Sequence, residues 1–331
     1  MKFRHRLYGI IFACMAVSLI VSAPATLLAG GGQAYPNGAE AFMPGAAPPP
    51  GITMINYFFY GHGGSFKDDN GDTIKAGNKD LLNRVDVIGD LVRLIYISKF
   101  QILGGNYGQH FFAGLLYTGS NFNVPVGSMS QESYYDFNSP YFIYSPFLLT
   151  WHLMQGRFHV ATSLCDIYVP FDNEDEDNPT SVGRNFWTFE PVLALTYMPT
   201  KAWEFSTKFM YDFNTRQDDY VSPLPVTADR TPGQEFHMDF NISYMVIDNL
   251  RVGINGYYYQ QVTDDDFGGV PAGWEPVFKE MEGQHSRAVA LGPGVFYQVR
   301  NMMFTLRYQH EFAVRNKAEM QNLWFKFIYV F

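Results

Sequence analysis

The chain has 331 residues, of which 17% are aromatic, with 30 Phe and 22 Tyr, and only 17% charged, below the usual quarter. It is acidic, 23 Lys and Arg against 32 Asp and Glu, and carries no basic stripe, which excludes a nucleic-acid binder; its apolar content excludes a disordered chain. Length alone accommodates one large β domain or two ordinary ones.

Residues 1–34 read as an export signal. Lys2, Arg4, His5 and Arg6 precede the apolar run "LYGIIFACMAVSLIVSAPATLLA", and small residues follow. "GQA" ending at Ala34 is the preferred cleavage site, with Ala29 as the alternative. Cys14 lies inside the apolar run, which continues well past it and argues against a lipid-attachment site. Processing leaves 20 basic against 32 acidic residues, and Cys165 as the single thiol, read as a small packed residue. No run of about 18 apolar residues follows the signal, so no transmembrane helix is expected. A closed barrel also satisfies every backbone group in lipid, and its signature is short alternating strands.

Residues 35–51, with the run "NGAEAFMPGAAPPPG" (37–51), read as an irregular Pro/Gly-rich leader. From there to residue 331, strands are expected at 52–60, 84–97, 106–117, 139–153, 157–169, 186–198, 201–213, 234–247, 250–262, 285–299, 301–313 and 320–331. About twelve strands, an even number, suit a single-chain bacterial barrel. The connections alternate in length. "MQG" (154–156), "PT" (199–200) and "DN" (248–249) are tight turns, and long polar segments separate them. That order matches short periplasmic turns and extended outer loops, with both chain ends on the short-turn side. The expected fold is therefore all-β: a closed antiparallel transmembrane β-barrel in the bacterial outer membrane.

Side-chain parity supports this. Over 203–213, Trp203, Phe205, Thr207, Phe209, Tyr211 and Phe213 alternate with Glu204, Ser206, Lys208, Met210 and Asp212. In 235–244, Phe236, Met238, Phe240, Ile242 and Tyr244 alternate with Glu235, His237, Asp239, Asn241 and Ser243. Segments 302–311 and 323–331 behave alike, so lipid faces the apolar side and a wet lumen the charged one. Trp187, Tyr197, Trp203 and Phe213 sit near strand ends, as interfacial girdles require. Segment 84–97 mixes both classes on both faces, Arg93 sharing parity with Val87 and Leu91, which points to a bulge or shifted boundaries.

The words "PNGAEAFMPGAAPPPG", "GRNFWTFEPVLALTYMPTKAWEFSTKFMYDFN", "GYYYQQVTDDD" and "RAVALGPGVFYQVRNMMFTLRYQHEFAVRN", in this order from about residue 36 onward, resemble the bacterial family of transporters assigned to the meta-pathway of phenol degradation. The resemblance implies an outer-membrane barrel concerned with uptake of hydrophobic aromatic compounds, and it brings no established site residues. Phe331 after "KFIYV" resembles the terminal aromatic signal read by the barrel-assembly machinery.

Twelve strands fall between the roughly 8 that leave a filled interior and the roughly 16 that leave an aqueous channel, so a narrow lumen is expected. Its candidate constriction residues are Glu190, Glu204, Lys208, Asp212, Glu235, His237, Asp239, Arg251, Arg307, Glu311 and Lys326. They can orient a passing solute, or pair with one another and close the bore, because buried charges need partners. The acid clusters "DNEDED" (172–177) and "DDD" (264–266) read as solvated loops. "FKDDNGD" (66–72) fails as a calcium loop, with Phe66 at the first ligand position, and reads as turn chemistry. The eight His residues lack metal-ligand spacing, so no metal and no cofactor are expected. There is no nucleophile elbow, and although Ser206, Ser243 and His237 share a face, nothing in the sequence brings them together, so no enzyme is expected. The reading is a channel for small hydrophobic solutes, with outer-membrane lipid and lipopolysaccharide as surroundings. A structural or adhesive barrel with a plugged lumen is the alternative, and a barrel lipase or esterase a weaker one.

Overall fold

A computed structural model describes residues 35–331 apart from 125–129, 140, 171–177, 179–180, 184 and 221–225. The signal and the "DNEDED" cluster lie outside the described residues.

Strands that are apolar on one side and polar on the other cannot leave an edge open in lipid, because unpaired backbone groups there cost several kcal/mol each. This chain closes on itself. The strands are β1 (Gly51–Lys67), β2 (Leu82–Ile102), β3 (Gly105–Val124), β4 (Tyr141–Leu153), β5 (Phe158–Pro170) and β6 (Thr188–Tyr197). They continue as β7 (Trp203–Asn214), β8 (Glu235–Ile247), β9 (Leu250–Gln261), β10 (Arg287–Val299), β11 (Met302–Arg315) and β12 (Lys317–Val330). Each pairs antiparallel with its neighbours in the chain, and β12 pairs with β1 from Thr53↔Val330 onward, which seals the ring. Strand Ser130–Asn138 continues the flank of β3 above β4.

Leu103–Gly104 and Asp248–Asn249 close two of the tight turns with positive φ at Leu103, Gly104 and Asn249, as two-residue hairpins demand. The opposite rim carries the long loops. There, strand Ala228–Thr231 pairs with Gln217–Tyr220 and Asp266–Gly268, and helix α1 (Glu275–Glu282) packs Phe278 and Met281 against Ala228 and Phe267. The "DDD" cluster is tied into this rim: Arg230 pairs with Asp265 at 2.7 Å and His285 meets Asp264 at 2.7 Å. In "FKDDNGD", Asp68 Oδ1 accepts from the Asn70 and Asp72 amides, each at 2.9 Å, and folds the segment as a turn.

One expectation needs correction. The expected strands 301–313 and 320–331 leave 314–319 between them, but β11 and β12 run through those residues and only Asn316, at φ 50°, connects the pair. For segment 84–97, expected to hold a bulge or to have shifted boundaries, the second holds: β2 runs from Leu82 to Ile102, pairs with β3 without interruption from Val85 to Ile97, and has its irregularities beyond both ends. The mixed pattern has another cause. On β2 the inward residues are Val85, Val87, Leu91, Arg93, Ile95 and Ile97, so this wall is apolar on its lumen side. Outward on β1 and β2, Asn56 Nδ2 donates to Asp90 Oδ1 at 2.5 Å, so two polar groups satisfy each other on the outer surface.

Elsewhere the faces follow parity. Phe205, Phe213, Ile242, Leu306 and Leu323 are exposed outward, whereas Glu204, Asp212, Asn241, Arg307 and Asn322 are buried inward. Cys165 is half-buried at a shift in the β5–β6 register between Ser163 and Asp166. Phe209 lies on the outer face of β7, five residues from the strand end at Asn214. Phe209→Arg is expected to cost about 2–4 kcal/mol of folding free energy in lipid vesicles, by urea titration of tryptophan emission. A cost near zero would contradict the assigned face.

Candidate functional site

The lumen is occupied by the chain's own leader. From Gly51 at the short-turn rim, the chain runs back inside the barrel to Tyr35, and Tyr35, Asn37, Ala39, Ala41 and Phe42 are all buried. A Pro-rich segment forms no regular structure, so its backbone donors and acceptors need side-chain partners. The polar wall supplies them.

Asp239 on β8 is the main anchor. Its carboxylate accepts from Tyr35 OH at 2.7 Å, Gly38 N at 2.9 Å and Glu40 N at 3.0 Å. Glu204 on β7 accepts from Met43 N at 2.8 Å, and Thr196 Oγ1 on β6 from Gly45 N at 3.0 Å. Leader carbonyls are taken from the other side: Arg307 on β11 donates to Gly38 O and, at 2.7 Å, to Ala39 O. Lys208 Nζ stands 4.2 Å from the centre of the Tyr35 ring, a cation–π contact. Gly38 has φ +78°, and a Cβ there would lie 2.3 Å from Gln309 Oε1, so this position requires glycine.

Glu40 joins the leader to both halves of the wall. It accepts from Lys326 Nζ at 2.6 Å, Tyr57 OH at 2.6 Å and Arg93 Nη1 at 3.1 Å. Burial works against its charge, but Lys326, Arg93 and Lys208 outweigh burial and hold this leader carboxyl well below the usual carboxylate range.

All eleven residues singled out in the sequence face the lumen and are buried. They divide in what they touch. Glu204, Lys208, His237, Asp239, Arg307 and Lys326 contact the leader, His237 through Nδ1 to Asn37 Oδ1 at 2.6 Å. Glu311 instead holds Lys317 Nζ at 2.6 Å, and Arg251 donates to the Ala202 and Lys201 carbonyls of a short turn at 2.9 and 2.8 Å. Glu190, Asp212 and Glu235 lie in a row deeper in the polar wall, Glu190 accepting from Tyr168 OH at 3.1 Å. Ser206 and Ser243 both donate to Glu204, at 2.8 and 2.7 Å, and among the described residues neither hydroxyl bonds His237. No Ser–His pair is assembled there.

Sequence reasoning missed Glu40, Tyr57, Thr196 and Arg93. Arg93 carried a usable signal, since its parity with Val87 and Leu91 marks an inward apolar face on which one cation is tolerated. Glu40 carried none, because an irregular leader has no periodicity.

The remaining wall is largely apolar, with Arg93 and the buried His110–Asp166 pair among its polar members. Ile55, Phe59, Val87, Leu91, Ile95, Phe112, Ile143 and Leu148 face inward along β1 to β4 and join one buried cluster. Between this wall and the leader lie three small cavities, all lined in part by Glu40 and Arg93. The largest, about 130 Å³ near the short-turn rim, is bounded by Phe42, Ile55, Ile95, Leu148, Ala161 and Ile328. Ala161 also borders the cavity of about 40 Å³ next to it.

A family model described as "Putative MetA-pathway of phenol degradation" matches residues 64–327. The chain belongs to this family. Among solved structures, an outer membrane channel from Pseudomonas putida superposes with a TM-score of 0.69 at 13% identity, covering 87% of this chain and 98% of that one. At that identity the likeness shows the fold, which is that of a bacterial outer-membrane channel. The β domain of a Bordetella autotransporter, BrkA (TM-score 0.43, 12% identity, 85% of this chain and 100% of that one), is more distant. So is a Pseudomonas aeruginosa FadL homologue (0.37, 10%, 95% and 98%). No curated protein matches.

The leader's hold on this family member's lumen can be tested at its anchor. Asp239→Ala strips the acceptor from the Gly38 and Glu40 amides and the Tyr35 hydroxyl, at about 1–3 kcal/mol for each buried donor left unpaired. Faster hydrogen exchange at the Gly38 and Glu40 amides is expected, with the barrel still folded by heat-modifiable gel migration. Unchanged protection would show that the leader is held by other means.

Proposed function

We propose that the protein passes small hydrophobic molecules, aromatic compounds among them, across the outer membrane along the apolar flank of its lumen. The observation that carries this reading is the division of the inner wall. The polar half is engaged with the leader and with itself, while the apolar half faces the cavity of about 130 Å³, whose Phe42, Ile55, Ile95, Leu148 and Ile328 side chains suit an uncharged, ring-sized solute. The family description, which refers to phenol degradation, agrees with this solute class.

Export and removal of residues 1–34 belong to the same proposal. Tyr35 is seated on Asp239 inside the bore. A retained apolar signal would have to share that space, which supports cleavage after Ala34. Phe331 follows directly on β12 and is largely exposed, open to recognition by the assembly machinery. The lipid-facing belt fits lipid and lipopolysaccharide as surroundings. The polar wall residues then act as anchors for the leader, and its displacement sets the width of the path.

The filled lumen also favours a second reading, a structural barrel that conducts nothing. Uptake of labelled phenol and catechol into lipopolysaccharide-containing proteoliposomes separates the two. Permeation above the protein-free background is expected for the wild type. It should fall several-fold in Ala161→Phe, whose ring enters both adjoining cavities, with the barrel folded. Deleting residues 35–48 should raise it. Background-level permeation in both the wild type and the deletion would remove the channel reading and leave the structural one.

A further inference from the structure

The row of acids in the polar wall, Glu190, Asp212 and Glu235, gathers three buried carboxylates about His237. Asp212 on β7 stands directly opposite Glu235 on β8, and like charges facing each other across a ladder are destabilising. Both side chains are fully buried, and among the described residues Asp212 Oδ1 has no hydrogen-bond partner. On the next strand Glu190 is equally buried, with Oε1 also unpartnered, and it interacts electrostatically with Asp212 and His237. The sequence reading found no ligand spacing among the histidines, but Glu-x-His at 235 and 237 puts both side chains on one face of a strand.

His237 is turned toward these acids. Its Nδ1 lies 2.6 Å from Asn37 Oδ1 of the leader, an acceptor, so Nδ1 carries the proton and donates. Nε2 therefore points at the carboxylates, 3.2 Å from Asp212 Oδ2 and 3.7 Å from Glu235 Oε2. One donor atom from each of the three residues falls within 4.8 Å of the others. A tetrahedral zinc with bonds of about 2.1 Å separates its ligand atoms by roughly 3.4 Å, so small side-chain adjustments suffice. Metal-binding histidines donate their other N–H to an oriented acceptor, the role Asn37 plays here.

We propose that Asp212, Glu235 and His237 bind one borderline divalent cation of the zinc type inside the barrel wall, with Asn37 orienting the histidine from the leader. The imidazole nitrogen and two carboxylates form an N/O donor set suited to zinc, with a fourth position left for water or a further carboxylate. The cation neutralises the facing acids, ties β7 to β8, and couples its own affinity to seating of the leader. This is independent of what the channel carries.

Cobalt(II) serves as the probe, because a low-symmetry N/O site gives it visible absorption. The purified chain, unfolded in urea, is refolded into detergent micelles with cobalt(II) chloride and desalted, and heat-modifiable migration reports the folded fraction. One tightly held cobalt per folded chain is expected, with visible bands. The bound metal should be lost in His237→Gln and bound about 10–100-fold more weakly in Asn37→Ala, the usual cost of removing an orienting partner. Folded wild type retaining no stoichiometric cobalt would overturn the proposal, as would equal retention by folded His237→Gln. If His237→Gln does not fold, equal affinity in folded Asn37→Ala and wild type would overturn it instead.

Discussion

Closure of the sheet is the constraint from which the rest of this structure follows. In hydrocarbon no water can satisfy a strand edge, so the first and last strands must find each other, and Thr53 to Lys67 does so along β12. Once the ring is sealed, the two faces of every strand meet different solvents. The outer face answers to lipid alone. The inner face is released from it, so carboxylates, guanidinium groups and amines can be stored there provided they are paired.

Pairing explains why the leader sits where it does. A run rich in proline and glycine has free amides and carbonyls and no secondary structure to absorb them. The wall of β6 to β12 has an excess of side-chain acceptors and donors. Asp239 and Glu204 take amides, Arg307 takes carbonyls, and Glu40 closes the circuit with Lys326 and Arg93. Each side resolves the other's unmet hydrogen bonds. The mostly apolar wall of β1 to β4 offers the leader few polar partners, Tyr57 OH and Arg93 to Glu40 among them, and free volume collects on that side. The division into an anchoring half and a permissive half is thus a consequence of where polar side chains were placed around the ring.

Much of the architecture was legible from the chain because barrel physics is local. Period-two alternation reports which side of a strand meets lipid without reference to any partner, and Phe205 against Glu204, or Leu323 against Asn322, needs no tertiary knowledge. The strand number, the tight turns at 154–156 and 248–249 and the inward direction of all eleven charged candidates came from this. Where the local code is ambiguous the reading went astray. Val87, Leu91 and Ile95 are apolar yet inward, and parity cannot tell an apolar lumen from an apolar rim when both faces of β2 carry large side chains. The tight connection at Asn316 was hidden for a similar reason, since Lys317 to Glu319 looks like a polar loop until Lys317 is seen to pair with Glu311 inside.

By itself, then, the sequence determined a closed β-barrel, its strand count, the face taken by the eleven candidate lumen residues and the short-turn rim at which its chain ends lie, because these depend on alternation and turn chemistry within a few residues. Only the tertiary structure decided that residues 35–50 turn back into the bore, that Glu40 rests on Tyr57, Arg93 and Lys326, and that Asp212, Glu235 and His237 converge. These are contacts between segments as many as 286 residues apart, and they are set by which wall faces which across a closed ring. No periodicity along the chain encodes that distance.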